Sequence, residues 1–257
     1  MQFDFYKYQG TGNDFIIIDN RQLAFFKNDT KRIAAFCDRK FGIGADGLIL
    51  LENHPTLDFK MVYYNADGNQ SSMCGNGGRC LVHFAKFLGI INHKASFEAI
   101  DGIHEASINE GIVSLKMNDV DSVATENDYS FLNTGSPHHV ELCKQLDYLD
   151  IQTEGAKLRH EKYGKEGANI NFVEQVNNDT FSVRTYERGV EAETLSCGTG
   201  VTAVAIAMHK TGKTTSNTVI LNTPGGGLKV TFEVGDSGYN NIWLIGPAVM
   251  VFKGEFV

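Results

Sequence analysis

The sequence predicts an α+β fold of two pseudo-symmetric domains. Three observations carry that reading. Short strand-like runs outnumber helical ones, and the two clearest helices each open on a Cys-Gly-x-Gly turn. Those turns also recur 123 residues apart, with other residues in register. Helices embedded in strand-rich halves favour α+β over a doubly wound parallel sheet.

The elements follow in order. FDFYKYQG (3–10) and FIIIDN (15–20) read as strands flanking a glycine turn. DTKRIAAFCDRK (29–40) is a helix with Asp29 or Thr30 as N-cap. LILLEN (48–53) and DFKMVYYNADG (58–68) are strands, the second closing in a turn signal. NGGRCLVHFAKFLG (76–89) is a helix with an apolar stripe through Leu81, Phe84, Phe87 and Leu88 and with Gly89 as C-cap. HEASI and IVSLKM are strands, and a polar stretch, MNDVDSVATEND (117–128), marks the junction. The plan then repeats: TFSVRTYERG (180–189) is a strand and turn, and GTGVTAVAIAMHKTG (198–212) is a helix stopped by Gly212. LKVTFEV and IWLIGPAVMVF end the chain as strands.

The step that carries Cys74 to Cys197 also carries Gly75 to Gly198 and Gly77 to Gly200. It takes Thr11-Gly12 to Thr134-Gly135, Tyr63 to Tyr186, and Gly102 to Gly225. Single glycine matches are cheap in a chain with 27 glycines, but a thiol-glycine-helix unit in register with other segments indicates duplication. A solenoid needs more copies, so two facing halves with a cleft between them are expected.

Composition narrows the function. A net charge of −8 disfavours nucleic acid or an anionic membrane as partner. The first residues lack the apolar core of a signal peptide, and no apolar run approaches the ~18–20 residues that span a bilayer; a cytoplasmic protein is expected. The five cysteines, Cys37, Cys74, Cys80, Cys143 and Cys197, make no C-x-x-C pair, so neither a disulfide framework nor a zinc site is expected. Cys80 falls on or near the apolar stripe and reads as packing.

Cys74 and Cys197 differ from the other three. Each stands where a glycine turn starts a helix, whose N–H groups attract an anion and whose positive end favours thiolate over thiol. Two such thiols beside two anion sites suit inversion of a carbon next to a carboxylate. One sulfur removes the α-proton, the other returns a proton to the opposite face, and the helix ends stabilise the charge that develops. No lysine stands in a recognisable pyridoxal-phosphate context, which agrees with a cofactor-independent route. A redox sensor that bridges Cys74 and Cys197 would leave the glycine anion sites unexplained. A non-catalytic amino acid binding protein would survive loss of either thiol.

GTGNDFIIID, GIGADGLIL, NADGNQSSMCGNGGRC, TGSPHHV, GANINFV, YERGVEAETLSCGTGVTA and NTPGGGL together, in this order, resemble the diaminopimelate epimerase family nearly end to end. The resemblance implies a curved, barrel-like mixed or antiparallel sheet around a central helix in each domain, with the active site in the interdomain cleft. Residues 1–118 would form the first domain, completed by strand 248–257, and residues 119–247 the second. It implies interconversion of LL- and meso-diaminopimelate in lysine and peptidoglycan precursor synthesis, without a cofactor or metal, and leaves a homodimer open. By motif position Cys74 and Cys197 are the acid/base pair, and Gly75, Asn76, Gly198 and Thr199 hold the reacting carboxylate. Asn13, Asn65, Asn169 and Arg188 grip the rest of the substrate, and the planar fork of Arg188 suits a carboxylate. His138 and Glu187 tune the thiols or contact substrate amines. The chain departs from the pattern at Gly47, where some members carry glutamine, and at Ser136, where many read Gly-Asn-Pro-His. A proline or hydroxyproline racemase of the same fold typically carries Cys-Gly-His; Asn76 and Thr199 favour the diaminopimelate reading.

Overall fold

The computed structural model describes residues 3–27, 29–126 and 128–256. The chain forms two compact units, Met1–Leu115 with Gly246–Val257, and Lys116–Ile245.

The first unit runs β1 (Phe3–Gly10), β2 (Asn13–Asp19), α1 (Thr30–Cys37), β3 (Gly47–Glu52), β4 (Phe59–Asn65), α2 (Gly75–Phe87), β5 (Lys94–Ala99), β6 (Gly102–Asn109) and β7 (Ile112–Lys116). Pairing alternates: β1/β2 antiparallel, β2/β3 parallel, β3/β4 antiparallel, β4/β5 parallel, then two antiparallel hairpin steps to β7. Phe15–Ile18 and Leu48–Leu51 are all buried, which explains why these runs lack strand alternation: both sheet faces are covered. Ile16, Ile18, Leu48, Leu50, Val62 and Tyr64 pack with Ile33 and Phe36 of α1. Phe15 and Ile49 point the other way, against the first turn of α2 at Gly77. Full burial of each such side chain contributes about 1.5–3 kcal/mol. Asp29 caps α1 by accepting the Arg32 N–H, so of the two expected caps the carboxylate takes the place.

The second unit repeats the order with β8 (Ala124–Thr125), β9 (Tyr129–Asn133), β10 (Pro137–Leu142), α3 (Ile151–Lys157), β11 (Asn169–Gln175), β12 (Thr180–Glu187), β13 (Ala192–Thr194), α4 (Gly198–Lys210), β14 (Thr218–Thr223), β15 (Gly226–Val234) and β16 (Tyr239–Pro247). β9/β10 is antiparallel, β10/β11 parallel, β11/β12 antiparallel, β12/β14 parallel, and β14/β15/β16 antiparallel. β13 hangs on β12 as a short extra strand. α3 covers the outer sheet face with Ile151 packed on Ile170, Phe172 and Tyr186, the place that α1 fills in the first unit. The last strand, β17 (Val249–Phe256), returns to the first unit and pairs antiparallel with β1.

The central helices carry the symmetry furthest. α2 and α4 are both 13 residues, and their starts and ends lie 123 residues apart. Each ends in the same Schellman motif. Gly89 donates to Lys86 O and Ile90 to Ala85 O, while Gly212 donates to His209 O and Lys213 to Met208 O. Gly89 (φ 71°) and Gly212 (φ 70°) take the left-handed position that follows the last helical turn. α4 is apolar all round, as suits a helix enclosed by its sheet. The stripe expected on α2 holds for Leu81 and Phe84, but Phe87 is about half exposed, stacked on Phe84 and edge-on to Tyr6, while Cys80 and Val82 are fully buried.

One step of the register is corrected. Gly102 opens β6 at φ 127°, and the glycine that opens β15 in the same conformation, at φ 132°, is Gly226, not Gly225. Ala99 pairs with Gly102 as Thr223 pairs with Gly226, so beyond the helices the step is 124. The extra residue lies between Gly212 and β14. No helix among the described residues is long and apolar enough to cross a membrane.

Candidate active site

Each thiol is the N-cap of its central helix, with the extended backbone that N-caps adopt. Cys74 has φ −86°, ψ 126°, and Cys197 has φ −122°, ψ 115°. Neither side chain makes a capping hydrogen bond. A serine or aspartate here would take up a first-turn N–H; a thiol leaves that end of the helix to an anionic ligand.

In the first unit Asn13, at the start of β2, gathers the site. Its Oδ1 lies 3.4 Å from Cys74 Sγ and accepts from Asn76 Nδ2 at 3.3 Å. Its Nδ2 donates to Asp46 Oδ2, and since a carboxylate only accepts, the carbonyl end of Asn13 is held toward Cys74. Asp46 pairs with Arg39, and Arg39 with Asp14, which also pairs with Lys7. Asp46 was not among the expected site residues; its signal was the aspartate of GIGADGLIL, a segment read for the resemblance and for its departure at Gly47. Asn65 ends β4 directly across from Gly47 and is exposed, so the structure sets it on this face without a side-chain hydrogen bond among the described residues.

Gly47 has a steric cause. A Cβ there would lie 2.5 Å from Cε2 of Tyr63 and 2.6 Å from Tyr64 O. The Tyr63 ring thus occupies the space a side chain at 47 would take. Gly47→Ala is expected to cost about 1–3 kcal/mol through overpacking. Urea unfolding measures it, and an unchanged midpoint would show that the Tyr63 ring and the Tyr64 carbonyl both give way freely.

Arg79 was also missed. It is fully buried just after the first turn of α2, donating to Thr11 Oγ1 at 3.2 Å and to Gly75 O at 3.4 Å, and among the described residues its Nε has no hydrogen-bond partner. Burial pulls its pKa down, while the neighbouring Cys80 and Cys74 act in the opposite direction. A cation so placed adds to the positive helix end. The equivalent residue in the second unit is the neutral Thr202, whose hydroxyl donates to Gly198 O at 2.9 Å. Cys80 itself is pushed up to about 12, chiefly by burial, and is inert as a base.

In the second unit Asn169, Ser136, His138, Thr199 and Cys197 form one cluster. Asn169 Oδ1 accepts the Arg188 backbone N–H at 2.9 Å, and its Nδ2 donates to Ser136 Oγ at 3.0 Å. Ser136 Oγ lies 3.0 Å from His138 Nε2 and 3.4 Å from Thr199 Oγ1, which lies 3.4 Å from Cys197 Sγ. Thr134 Oγ1 donates to Thr199 O at 2.8 Å and fixes the backbone of the turn. His138 is fully buried; desolvation, and then the charge of Arg188, bring its pKa down to about 3, so it acts here as a neutral imidazole. Asn171, also unforeseen, donates to His139 O at 2.8 Å and to His138 Nδ1 at 3.1 Å. Gly200 is required beside it, since a Cβ there would come 2.6 Å from Asn171 Oδ1. The Arg188 guanidinium is exposed and donates to Glu166 O at 2.9 Å, and Glu187 closes β12 beside it. Among the described residues no group of three or more His, Cys, Asp or Glu side chains could hold a metal ion.

This architecture matches solved structures over essentially the whole chain. A Bacillus anthracis phenazine biosynthesis protein of the PhzF family aligns with TM-score 0.81 at 14% identity, covering 100% of this chain and 99% of that one. A hydroxyproline epimerase from Agrobacterium vitis aligns with TM-score 0.72 at 12% identity, covering 99% and 91%. At those identities the likeness is one of fold. Sequence adds the rest. Diaminopimelate epimerase from Flavobacterium psychrophilum is 61% identical over 250 residues, 96% of this chain and 98% of that protein. The enzyme of that name from Chlorobaculum tepidum is 44% identical over 256 residues, 95% and 98%. The sequence model for diaminopimelate epimerase matches residues 5–121 and 130–251. Fold and relatives together define an isomerase of the amino acid epimerase class. The chain belongs to the diaminopimelate epimerase family.

Proposed function

We propose that the protein interconverts LL- and meso-diaminopimelate in the cytoplasm, serving lysine and cell-wall precursor synthesis, by a cofactor-independent exchange between Cys74 and Cys197. The observation that supports it most is the pair of thiols at equivalent N-caps of two equivalent, buried helices, in a chain 61% identical to a protein named for that activity. In this reading one thiolate removes the α-proton, the carbon becomes planar, and the other thiol delivers its proton to the opposite face. The first-turn N–H groups at Gly75-Asn76 and Gly198-Thr199 hold the carboxylate as negative charge spreads onto it. Asn13, Asn65, Asn169, Glu187 and Arg188 fix the remainder of the substrate, with Arg188 meeting the distal carboxylate.

Incubation with LL-diaminopimelate in deuterated water tests the reading. The expected result is meso product carrying deuterium at one α-carbon, whereas proline and hydroxyproline stay unlabelled. Absence of label in diaminopimelate would remove the substrate assignment, and label in proline would move the protein to the other branch of the fold.

A further inference from the structure

The hydrogen bonds around Ser136 have only one consistent direction, and it ends on Cys197. Asn171 is oriented by the His139 carbonyl, which its Nδ2 must meet as donor at 2.8 Å. The same Nδ2 faces His138 Nδ1 at 3.1 Å, so that nitrogen is the acceptor, and in a neutral imidazole the proton sits on Nε2. Nε2–H then donates to Ser136 Oγ at 3.0 Å. Asn169 is oriented likewise: its Oδ1 is taken by the Arg188 N–H, so its Nδ2 donates to the same Ser136 Oγ at 3.0 Å. Both lone pairs of that hydroxyl are therefore filled. Thr199 Oγ1, 3.4 Å away, cannot donate to it and can only accept. The Thr199 proton turns to its other neighbour, Cys197 Sγ at 3.4 Å.

We propose that Ser136 is a positioning residue for the reaction: by absorbing two N–H donors it aims the Thr199 hydroxyl at Cys197 and holds that sulfur as the thiolate. It rests on the reading of Cys197 as a proton carrier. His138 contributes without carrying charge, as the donor that saturates Ser136. The opposite polarity holds at Cys74, which faces the acceptor end of Asn13.

The charged and titratable groups of β10, of the end of β12 and of α4 itself are compatible with such a neutral donor. On β10, His138 is uncharged. At the end of β12, Glu187 stands beside Arg188, whose guanidinium is exposed and directed to Glu166 O. On α4 itself the first turn holds no acidic residue, and His209 and Lys210 stand in the last turn. The helix end and the Thr199 hydroxyl both favour the anion.

The test reads the sulfur directly and needs no substrate, so it stands or falls apart from the substrate assignment. Iodoacetamide labelling is followed from pH 5 to 10, with Cys197 and Cys74 peptides resolved by mass spectrometry. Thr199→Val is expected to raise the Cys197 midpoint by about one pH unit, equivalent to roughly tenfold slower labelling below both midpoints. Ser136→Ala should shift it in the same direction by less, Thr199→Ser should leave it in place, and the Cys74 midpoint should not move in any variant. An unmoved Cys197 midpoint in Thr199→Val overturns the proposal, as does a shift shared equally by Cys74 or a Thr199→Ser variant that behaves like valine. Ser136→Ala provides the same decision if Thr199→Val does not fold.

Discussion

Cys74→Ser and Cys197→Ser are each expected to lower the rate of epimerisation by about 10³-fold, the scale of a positioned acid or base lost from its transition state. The substitution keeps the shape of the side chain and lowers its acidity: a serine hydroxyl stays protonated where a helix-end thiol ionises. Structure makes this variant unusually clean. Both sulfurs are N-caps with no capping hydrogen bond, and serine is among the best N-cap residues, stabilising a helix by about 1 kcal/mol over a residue that cannot cap. Activity should therefore collapse while thermal stability holds or rises. A protein that merely binds its ligand would retain binding in both variants. Solvent deuterium separates the two sulfurs: each variant keeps one competent thiol, so α-hydrogen exchange from one face can outlast the loss of inversion. Equal loss of activity and melting temperature would assign the cysteines to packing instead.

How much of this was legible in the sequence depended on range. Helix starts and stops are local, so Asp29, Gly89 and Gly212 marked their elements well, and the two Cys-Gly-x-Gly turns marked the central helices. The duplication was legible as far as those helices. It slipped at Gly225 because one additional residue in a surface connection changes the step from 123 to 124, and neighbouring glycines in Gly225-Gly226-Gly227 hide such a slip. Burial around α2 was misjudged at Phe87 because periodicity locates a face, whereas a helix enclosed by its own sheet is buried on several faces at one end and exposed at the other. The supporting residues were hardest. Asp46 and Asn171 act through partners on other strands and Arg79 through Thr11 in the turn between β1 and β2, and no spacing along the chain shows that Asp46 turns the Asn13 amide or that Asn171 sets the His138 tautomer. The Ser136 departure could be seen in the sequence, but its meaning needed the two donors that converge on its oxygen.

Asp14→Asn should destabilise the protein by about 3 kcal/mol, the usual result of removing one partner from a largely buried ion pair. Lys7 is buried on β1, where its ammonium meets Asp14 at 2.7 Å and the Gly44 carbonyl. Without the carboxylate that charge has a single carbonyl in place of a counter-ion. Asp14 also holds Arg39 at 2.6 Å, and Arg39 holds the Asp46 that orients Asn13 beside Cys74. Burial alone would raise the Asp14 pKa, yet the hydrogen bonds and charges of Arg39 and Lys7 outweigh it and bring the carboxyl down to about 2 from 3.8. The folded pKa lies below the unfolded one, so this stabilisation is complete above about pH 4 and is lost as pH falls toward 2. Its size is about 1–2 kcal/mol once screening through the exposed Arg39 is allowed for. Urea unfolding from pH 2 to 7 is expected to show that loss in the wild type and not in Asp14→Asn, so the gap between the two stability curves narrows by about 1–2 kcal/mol in acid. Parallel curves would place the cost of the variant in packing, and an unchanged midpoint at pH 7 would show that Lys7 reaches solvent when its partner is gone. Because the same cluster supports Asn13, the folded variant should also epimerise more slowly at neutral pH. Asp46→Asn should reproduce that slowing with a smaller loss of stability, since the Asp46 side chain is more exposed and Lys7 keeps its partner.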